Sequence, residues 1–395
     1  MMLTARVLGP VQFGKLTLLY STVLSFEVLV TAGLAVTCTK FVAELRHQDP
    51  KRAGRIIDLA TLVALINGAA IGGLIVGLAP WLAHDMLATP DLTLELRWSA
   101  LLVALVAISA VQQGALAGLE AFRATALVEL MGGVAVLLAL PLGALWHGVQ
   151  GALTGMIAGY TLRMIALQLS VARQTSALGI PRRWAWPRKE LPILWQFSMP
   201  AMLNSLLWGP TMWCAMAIVA HEPNGHAEVG IFNAANQWFS LLLFLPTLMN
   251  QAAFPILTER LTSGATSTAW RLFYGKLLVT ILGITPAVIL VAFLSSFIMS
   301  FYGPGYSDKG PILVIVAIAA WFAAPQVPVG NLLVAHALPW SWFKANLVWA
   351  GCVLVVSVFF SNHGALTLAC AYAVAYAVRG LYASRSIHKL RRVSS

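Results

Sequence analysis

Glu27, Arg163 and Arg379 stand inside long apolar stretches, where an ionisable side chain is costly unless it faces a cavity or a partner. Glu27 lies 11 residues after Leu16, so a helical rise of about 1.5 Å per residue puts it roughly 16 Å into its stretch, near mid-bilayer. A carboxyl group there fits a proton or cation site coupled to transport. It fits equally a protonated Glu hydrogen-bonded between helices. Arg163 falls 12 residues after Gly151 and Arg379 15 residues after Gly364, which leaves them near one helical face in related places of the chain. Two guanidinium groups brought to a central cavity suit an anionic phosphate headgroup. The bland alternative is a pair of interfacial anchors whose heads snorkel to the cytosolic boundary.

Around these charges the apolar stretches carry neutral polar groups at Asn204, Asn233, Asn236, Gln237, Asn250 and Gln251. Such groups suit a sugar's hydroxyls and also serve as interhelical hydrogen bonds. Trp208, Trp213 and Trp238 can stack on sugar rings, line a lipid path or simply pack. The substrate-binding candidates are therefore Arg163, Arg379, Asn233, Asn236, Gln237 and Trp213, and the ion-coupling candidate is Glu27. At membrane depth the expected charges are one Glu and two Arg, which favours an anionic cargo over a cationic one.

Other chemistries find little support. The stretch HEPNGHAE, His221 to Glu228, superficially suggests a zinc protease, but its histidines are five apart and Pro223 and Gly225 oppose the helix that would align them. No Gly-rich phosphate loop followed by Lys and Ser/Thr is present, so the chain is not expected to hydrolyse ATP. Cys38, Cys214, Cys352 and Cys370 all fall in apolar spans and read as small packing residues. Neither a cofactor, a metal nor a catalytic constellation is expected.

The elements that must position these residues are membrane helices. Only 10% of the chain is charged, 59% is hydrophobic and mean hydropathy is +0.81, far from the balance of a soluble domain. An all-α polytopic membrane protein follows, because a span of about 20 apolar residues satisfies its backbone internally as helix. The first half supplies five spans, at 16–41, 56–82, 99–119, 127–145 and 149–171, the last two forming a hairpin through Trp146-His147-Gly148. The second supplies six, at 197–220, 231–257, 277–301, 311–335, 347–360 and 365–381. The domain organisation expected is an N-terminal bundle over 1–172, a basic cytoplasmic linker over 173–196, a C-terminal bundle over 197–384 and a basic tail over 385–395.

Orientation follows from where the 25 basic residues sit. Nineteen fall on one side of the spans and four on the other, which makes the first side cytoplasmic. The formal charge of +11 then reflects topology, and no nucleic-acid partner is expected.

The halves echo one another. Gly14 matches Gly230 at a separation of 216, Glu44 matches Glu259 at 215, Arg55 matches Arg271 at 216, and Gln112 matches Gln326 at 214. Gly151-Ala-Leu-Thr154 recurs as Gly364-Ala-Leu-Thr367, at 213. Markers at so nearly one spacing point to duplication. The counterpart of the 197–220 span would fall almost wholly before Met1, so about 11 helices of a 12-helix arrangement are expected, with the first missing through a misplaced start or a deletion.

ARVLGPVQFGKLTLLYS at Ala5 to Ser21, KFVAELR at Lys40 to Arg46, PAMLNSLLWGPTMW at Pro200 to Trp213 and EVGIFNAANQW at Glu228 to Trp238 resemble the polysaccharide-biosynthesis membrane proteins. These are the O-antigen and exopolysaccharide flippases of the multidrug/oligosaccharidyl-lipid/polysaccharide transporter superfamily. The resemblance implies two six-helix bundles around a central cavity, alternating access, and transfer of undecaprenyl-diphosphate-linked oligosaccharide across the bacterial inner membrane. The implied partners are that lipid-linked oligosaccharide, membrane lipids and other polysaccharide assembly proteins. A cation-coupled drug or metabolite antiporter of the same superfamily is the nearest alternative. A polytopic polysaccharide polymerase or glycosyltransferase is the alternative from another class, although the longest outward loop, His84 to Trp98, holds no convincing catalytic constellation.

Overall fold

In the computed structural model, all regular elements of the described residues are helical, as backbone groups in hydrocarbon require. Residues 1–31, 33–182, 207–262, 266–336 and 338–394 are described. Most of the expected linker, the start of the 197–220 span and Asn204 lie outside them. Nine helical stretches among the described residues are long and apolar enough to cross a membrane. One of these, Phe122–Ala177, contains two arms, and Trp208–Ala220 is a further, shorter apolar helix, so the count is compatible with about eleven. The chain divides into two compact units: Lys15–Trp213 with Met1 and Leu3, and Cys214–Ser395 with Met2 and Thr4–Gly14.

Helix α1 (Met2–Thr31) begins well before the expected start at Leu16. Its one non-helical residue is Gly9, at φ 71°, and Pro10 follows with a fixed φ suited to restarting a helix. Helix α2 (Leu34–Gln48) follows a left-handed Gly33, φ 71°, so the expected 16–41 span is interrupted. Helix α3 (Pro50–Trp81) is started by Asp49, whose side chain accepts from the Arg52 N–H at 3.0 Å, and by Pro50 in its first turn. Helix α4 (Thr93–Gly118) leads to α5 (Phe122–Ala177), which reverses at His147 and Gly148, the latter at φ 56°.

Small residues let the two arms of α5 touch through their backbones. A Cβ on Gly143 would stand 2.0 Å from the Gly151 carbonyl oxygen, and one on Gly155 2.2 Å from that of Ala139. Farther along, a Cβ on Gly132 would meet the Arg163 side chain at 2.8 Å. This is the small-residue packing that membrane helices use where lipid supplies no hydrophobic drive.

The second unit contains α6 (Trp208–Ala220) from Cys214 onward, α7 (Gly225–Thr262), α8 (Thr266–Phe293) and the short α9 (Ser295–Ser300). Next come α10 (Gly310–Ala323) and α11 (Gln326–Ala335), which split the expected 311–335 span in two. Pro325 explains the split, since it lacks an N–H and crowds the preceding turn. Helices α12 (Pro339–Phe359) and α13 (Ala365–Ser394) complete the unit.

Gly14 and Gly230, the best-spaced markers of the duplication, turn out to be neighbours in this unit. A Cβ on Gly230 would lie 2.2 Å from the Pro10 carbonyl oxygen and 2.9 Å from the Gly14 nitrogen. Tyr372 and Trp349 are fully buried and pack with Phe232, Phe239 and Tyr376, the Phe232 and Tyr372 rings meeting edge-on at 5.7 Å. Glu228, in the first turn of α7, accepts a hydrogen bond from the Ala365 N–H that opens α13, at 2.9 Å, and lies 3.7 Å from the Lys309 ammonium.

Candidate substrate and coupling sites

In the first unit, Arg163 is a paired cation. From the second arm of α5 its Nε and one terminal nitrogen donate to both oxygens of Glu129 on the first arm, at 3.0 to 3.3 Å. Gln113 of α4 donates to the same carboxylate at 2.5 Å. The Arg163 guanidinium also lies 5.8 Å from the Tyr160 ring, and Tyr160 shares a hydrogen bond of 3.0 Å with Tyr20 of α1. Glu27, half-buried on α1, feels the Arg163 charge and makes no hydrogen bond among the described residues. One guanidinium thus faces two carboxyl groups. With both ionised the cluster carries excess negative charge, which suits a proton or cation better than a phosphate. One turn further, Gln112 donates to Gln168 at 2.5 Å and holds α4 to α5.

Trp213 donates its indole N–H to Thr22 Oγ1 at 2.9 Å. Its polar edge is therefore used within the first unit.

In the second unit Arg379 is held differently. Its Nε donates to Gln326 Oε1 at 2.6 Å, and a terminal nitrogen donates to Asn346 Oδ1 at 3.1 Å. The guanidinium carbon stands 4.7 Å from the Tyr376 ring centre and 5.0 Å from that of Trp342. Gln326 is itself fixed, its amide donating to the carbonyls of Tyr376 at 2.6 Å and Phe322 at 2.7 Å. Among the described residues no carboxylate pairs with Arg379. A second cation lies close in the hydrogen-bond network. Lys276 of α8 donates to the Asn250 side chain and, at 3.3 Å, to its carbonyl, and Asn250 donates to the Val327 carbonyl beside Gln326 at 3.4 Å.

Asn233, Asn236 and Gln237 share a face of α7 by their three- and four-residue spacing. Gln237 donates weakly to the Asn233 carbonyl at 3.5 Å, while the buried Oδ1 of Asn236 has no hydrogen-bond partner among the described residues. Trp238 donates to the Tyr302 hydroxyl at 3.2 Å. The Gln251 side chain lies outside the described residues.

Two features were missed at the sequence level although a signal existed. Arg163 and Arg379 are themselves 216 residues apart, as are Tyr160 and Tyr376, so a Tyr-x-x-Arg pair repeats on the same spacing as Gly14 and Gly230. The acids Glu129 and Asp58 also escaped notice. Each lies two residues inside an expected span, and the buried Asp58 pairs with the partly buried Arg182 at 2.8 Å.

Comparison with known proteins agrees with this architecture. The EPS I polysaccharide export inner membrane protein EpsE of Ralstonia solanacearum is 23% identical over 385 residues, covering 95% of this chain and 85% of that protein. Its namesake in Ralstonia nicotianae is 22% identical over 374 residues, covering 92% and 83%. Among solved structures, an inward-facing multidrug resistance MATE family transporter of the MOP superfamily superposes with a TM-score of 0.83 at 14% identity, over all of this chain and 95% of that one. The Lipid II flippase MurJ, in an inward closed conformation, gives 0.69 at 12% identity over 95% and 86%. These two likenesses establish the fold. Residues 1–260 match the family described as Polysaccharide biosynthesis protein, and the chain belongs to that family.

Proposed function

We propose that this chain is a multi-pass inner-membrane flippase that carries undecaprenyl-diphosphate-linked oligosaccharide, an O-antigen or exopolysaccharide unit, to the outer leaflet by alternating access. The observation that carries the reading is Arg379, a largely buried guanidinium oriented by Gln326, Asn346 and two aromatic rings, and opposed by no carboxylate among the described residues. A buried cation with neutral partners attracts an anion, and a forked guanidinium matches a diphosphate. Asn236, with an acceptor to spare, suits a sugar hydroxyl. Residues 1–172 and 197–384 act as the two bundles, 173–196 and 385–395 as the cytoplasmic linker and tail, and other polysaccharide assembly proteins supply and take up the cargo. Relatives named for polysaccharide export support transport rather than catalysis.

A cation-coupled drug antiporter is the second reading, favoured by the two acids around Arg163. In the flippase these acids serve coupling instead, with Glu27 as the proton- or cation-binding group. Deleting the gene in its host separates the readings. Lipid-linked oligosaccharide should accumulate facing the cytoplasm, and the full chain supplied in trans should clear it. Unchanged glycan export together with new drug sensitivity would establish the antiporter.

A further inference from the structure

The second unit contains a cavity of about 440 Å³ bounded by α8, the α10–α11 break and α13. Its walls are apolar, with Phe273, Leu277, Phe322, Val329, Leu381 and Ile387 among the lining residues. Leu381 and Tyr274 are exposed at its mouth, and Phe273 and Val329 belong to a packed core that continues through Trp342. Two of its lining residues adjoin the cations already described, one through a hydrogen bond and one along the chain. Gln326 lines the cavity and holds the Arg379 guanidinium, and Leu277 lines it directly after Lys276, whose ammonium is bonded to Asn250. Gly380 keeps this border open, because a Cβ there would stand 3.1 Å from Gln326 Nε2.

We infer that this cavity receives the first segment of the substrate's hydrocarbon chain, with Arg379 and Lys276 engaging the diphosphate at its border. The inference rests on the flippase reading above and extends it to the lipid part of the cargo. Complementarity of charge and polarity selects the occupant. A diphosphate carries enough negative charge for two cations that have only neutral partners among the described residues, and the chain attached to it needs an apolar wall beginning where the phosphates end. An ordinary phospholipid offers a single bridging phosphate. A free nucleotide or sugar phosphate offers nothing to the apolar wall.

The test uses the purified full chain in detergent and polyprenyl diphosphates of graded length, without sugar. Affinity of the unmodified chain should rise with chain length up to a limit set by the cavity. The rise should be roughly three- to tenfold, since a chain leaving detergent or lipid for a protein cavity gains packing rather than escape from water. Ala377→Trp and Ser384→Trp fill the cavity from partly exposed positions. Among the described residues Ser384 bonds only to its own helix, at the Leu381 carbonyl, so that variant should fold. Both variants should bind the shortest diphosphate as the unmodified chain does and lose the gain with length. Lys276→Gln should weaken short and long diphosphates alike. Length dependence that persists in both filled variants would overturn the cavity assignment while leaving the flippase reading intact. Equal competition by a dioleoyl glycerophospholipid would make the cavity a general lipid site and overturn it as well. Failure of the unmodified chain to bind any polyprenyl diphosphate would sink the flippase reading, and the inference with it.

Discussion

Replacing Arg379 separates the two duplicated arginines most sharply. Arg379→Gln removes the charge and the fork but keeps an amide that can still approach Gln326 and Asn346, so the fold should suffer little. Each hydrogen bond from a guanidinium to a phosphate contributes about 1.5–3 kcal/mol. Loss of two such bonds costs about 3–6 kcal/mol, and at 1.4 kcal/mol per decade the affinity for a diphosphate should fall by about 10²- to 10⁴-fold. Arg379→Lys keeps a point charge without the planar fork or its stacking on Tyr376 and Trp342, and should lose about tenfold. Arg163→Gln should behave differently, because Arg163 is already paired with Glu129. Diphosphate binding should stay within about threefold of the unmodified chain there, with the cost appearing in stability. Binding measured on purified variants, beside glycan export at matched membrane levels, reads both effects. Normal binding by Arg379→Gln, or equal losses at the two arginines, would refute the assignment of the anion to the second unit.

Glu129→Ala should destabilise the folded chain by about 1–3 kcal/mol by stranding Arg163, whose side chain is 18% exposed, and the double change with Arg163→Gln should recover most of it in a thermal melt. Glu27→Gln should reach the membrane normally and abolish the pH dependence of transport in energised vesicles; an unaltered pH profile would remove Glu27 from coupling. Gly143→Val should deplete folded protein in size-exclusion chromatography, since even its Cβ would stand 2.0 Å from the Gly151 carbonyl oxygen, whereas Gly133→Val, with open space around it, should be tolerated. Cysteines placed at Lys51 or Ser176 should resist an impermeant thiol reagent in intact cells and those at Asp91 or Asn224 should react, as the positive-inside count requires.

Helical class, the hairpin at His147-Gly148 and the duplicated plan were all legible in the sequence, because lipid allows few solutions and long apolar runs announce them. The breaks were harder. Gly33 and Pro325 sit in runs whose hydropathy hides a change of backbone direction, and a sliding reading for apolarity passes over both. Candidate site residues were legible by type and less so by partnership. Arg163 and Arg379 looked equivalent in the sequence, and what separates them is a Glu on the facing arm in one unit and an Asn with a Gln in the other. That difference is a matter of which side chain reaches across from a neighbouring helix, and linear spacing does not encode it. Lys276 passed as one more topological charge because its partner Asn250 lies on a different helix.

Glu228 ties together pieces of the second unit that a rocking motion would otherwise be free to part. Its carboxylate supplies the acceptor for the first amide of α13, stands against Lys309 beside α10, and rides on the first turn of α7. The neighbouring Glu222 adds a stitch of the same kind, accepting from the Ser361 hydroxyl at 2.5 Å. With these ends clasped, the unit has no cheap way to splay here: separating α7 from α13 would leave an amide uncapped and a lysine without its counter-charge. Whatever displacement accompanies a transport cycle must therefore carry this end as one plate and find its pliancy elsewhere, where a proline or a left-handed glycine has already loosened the helix.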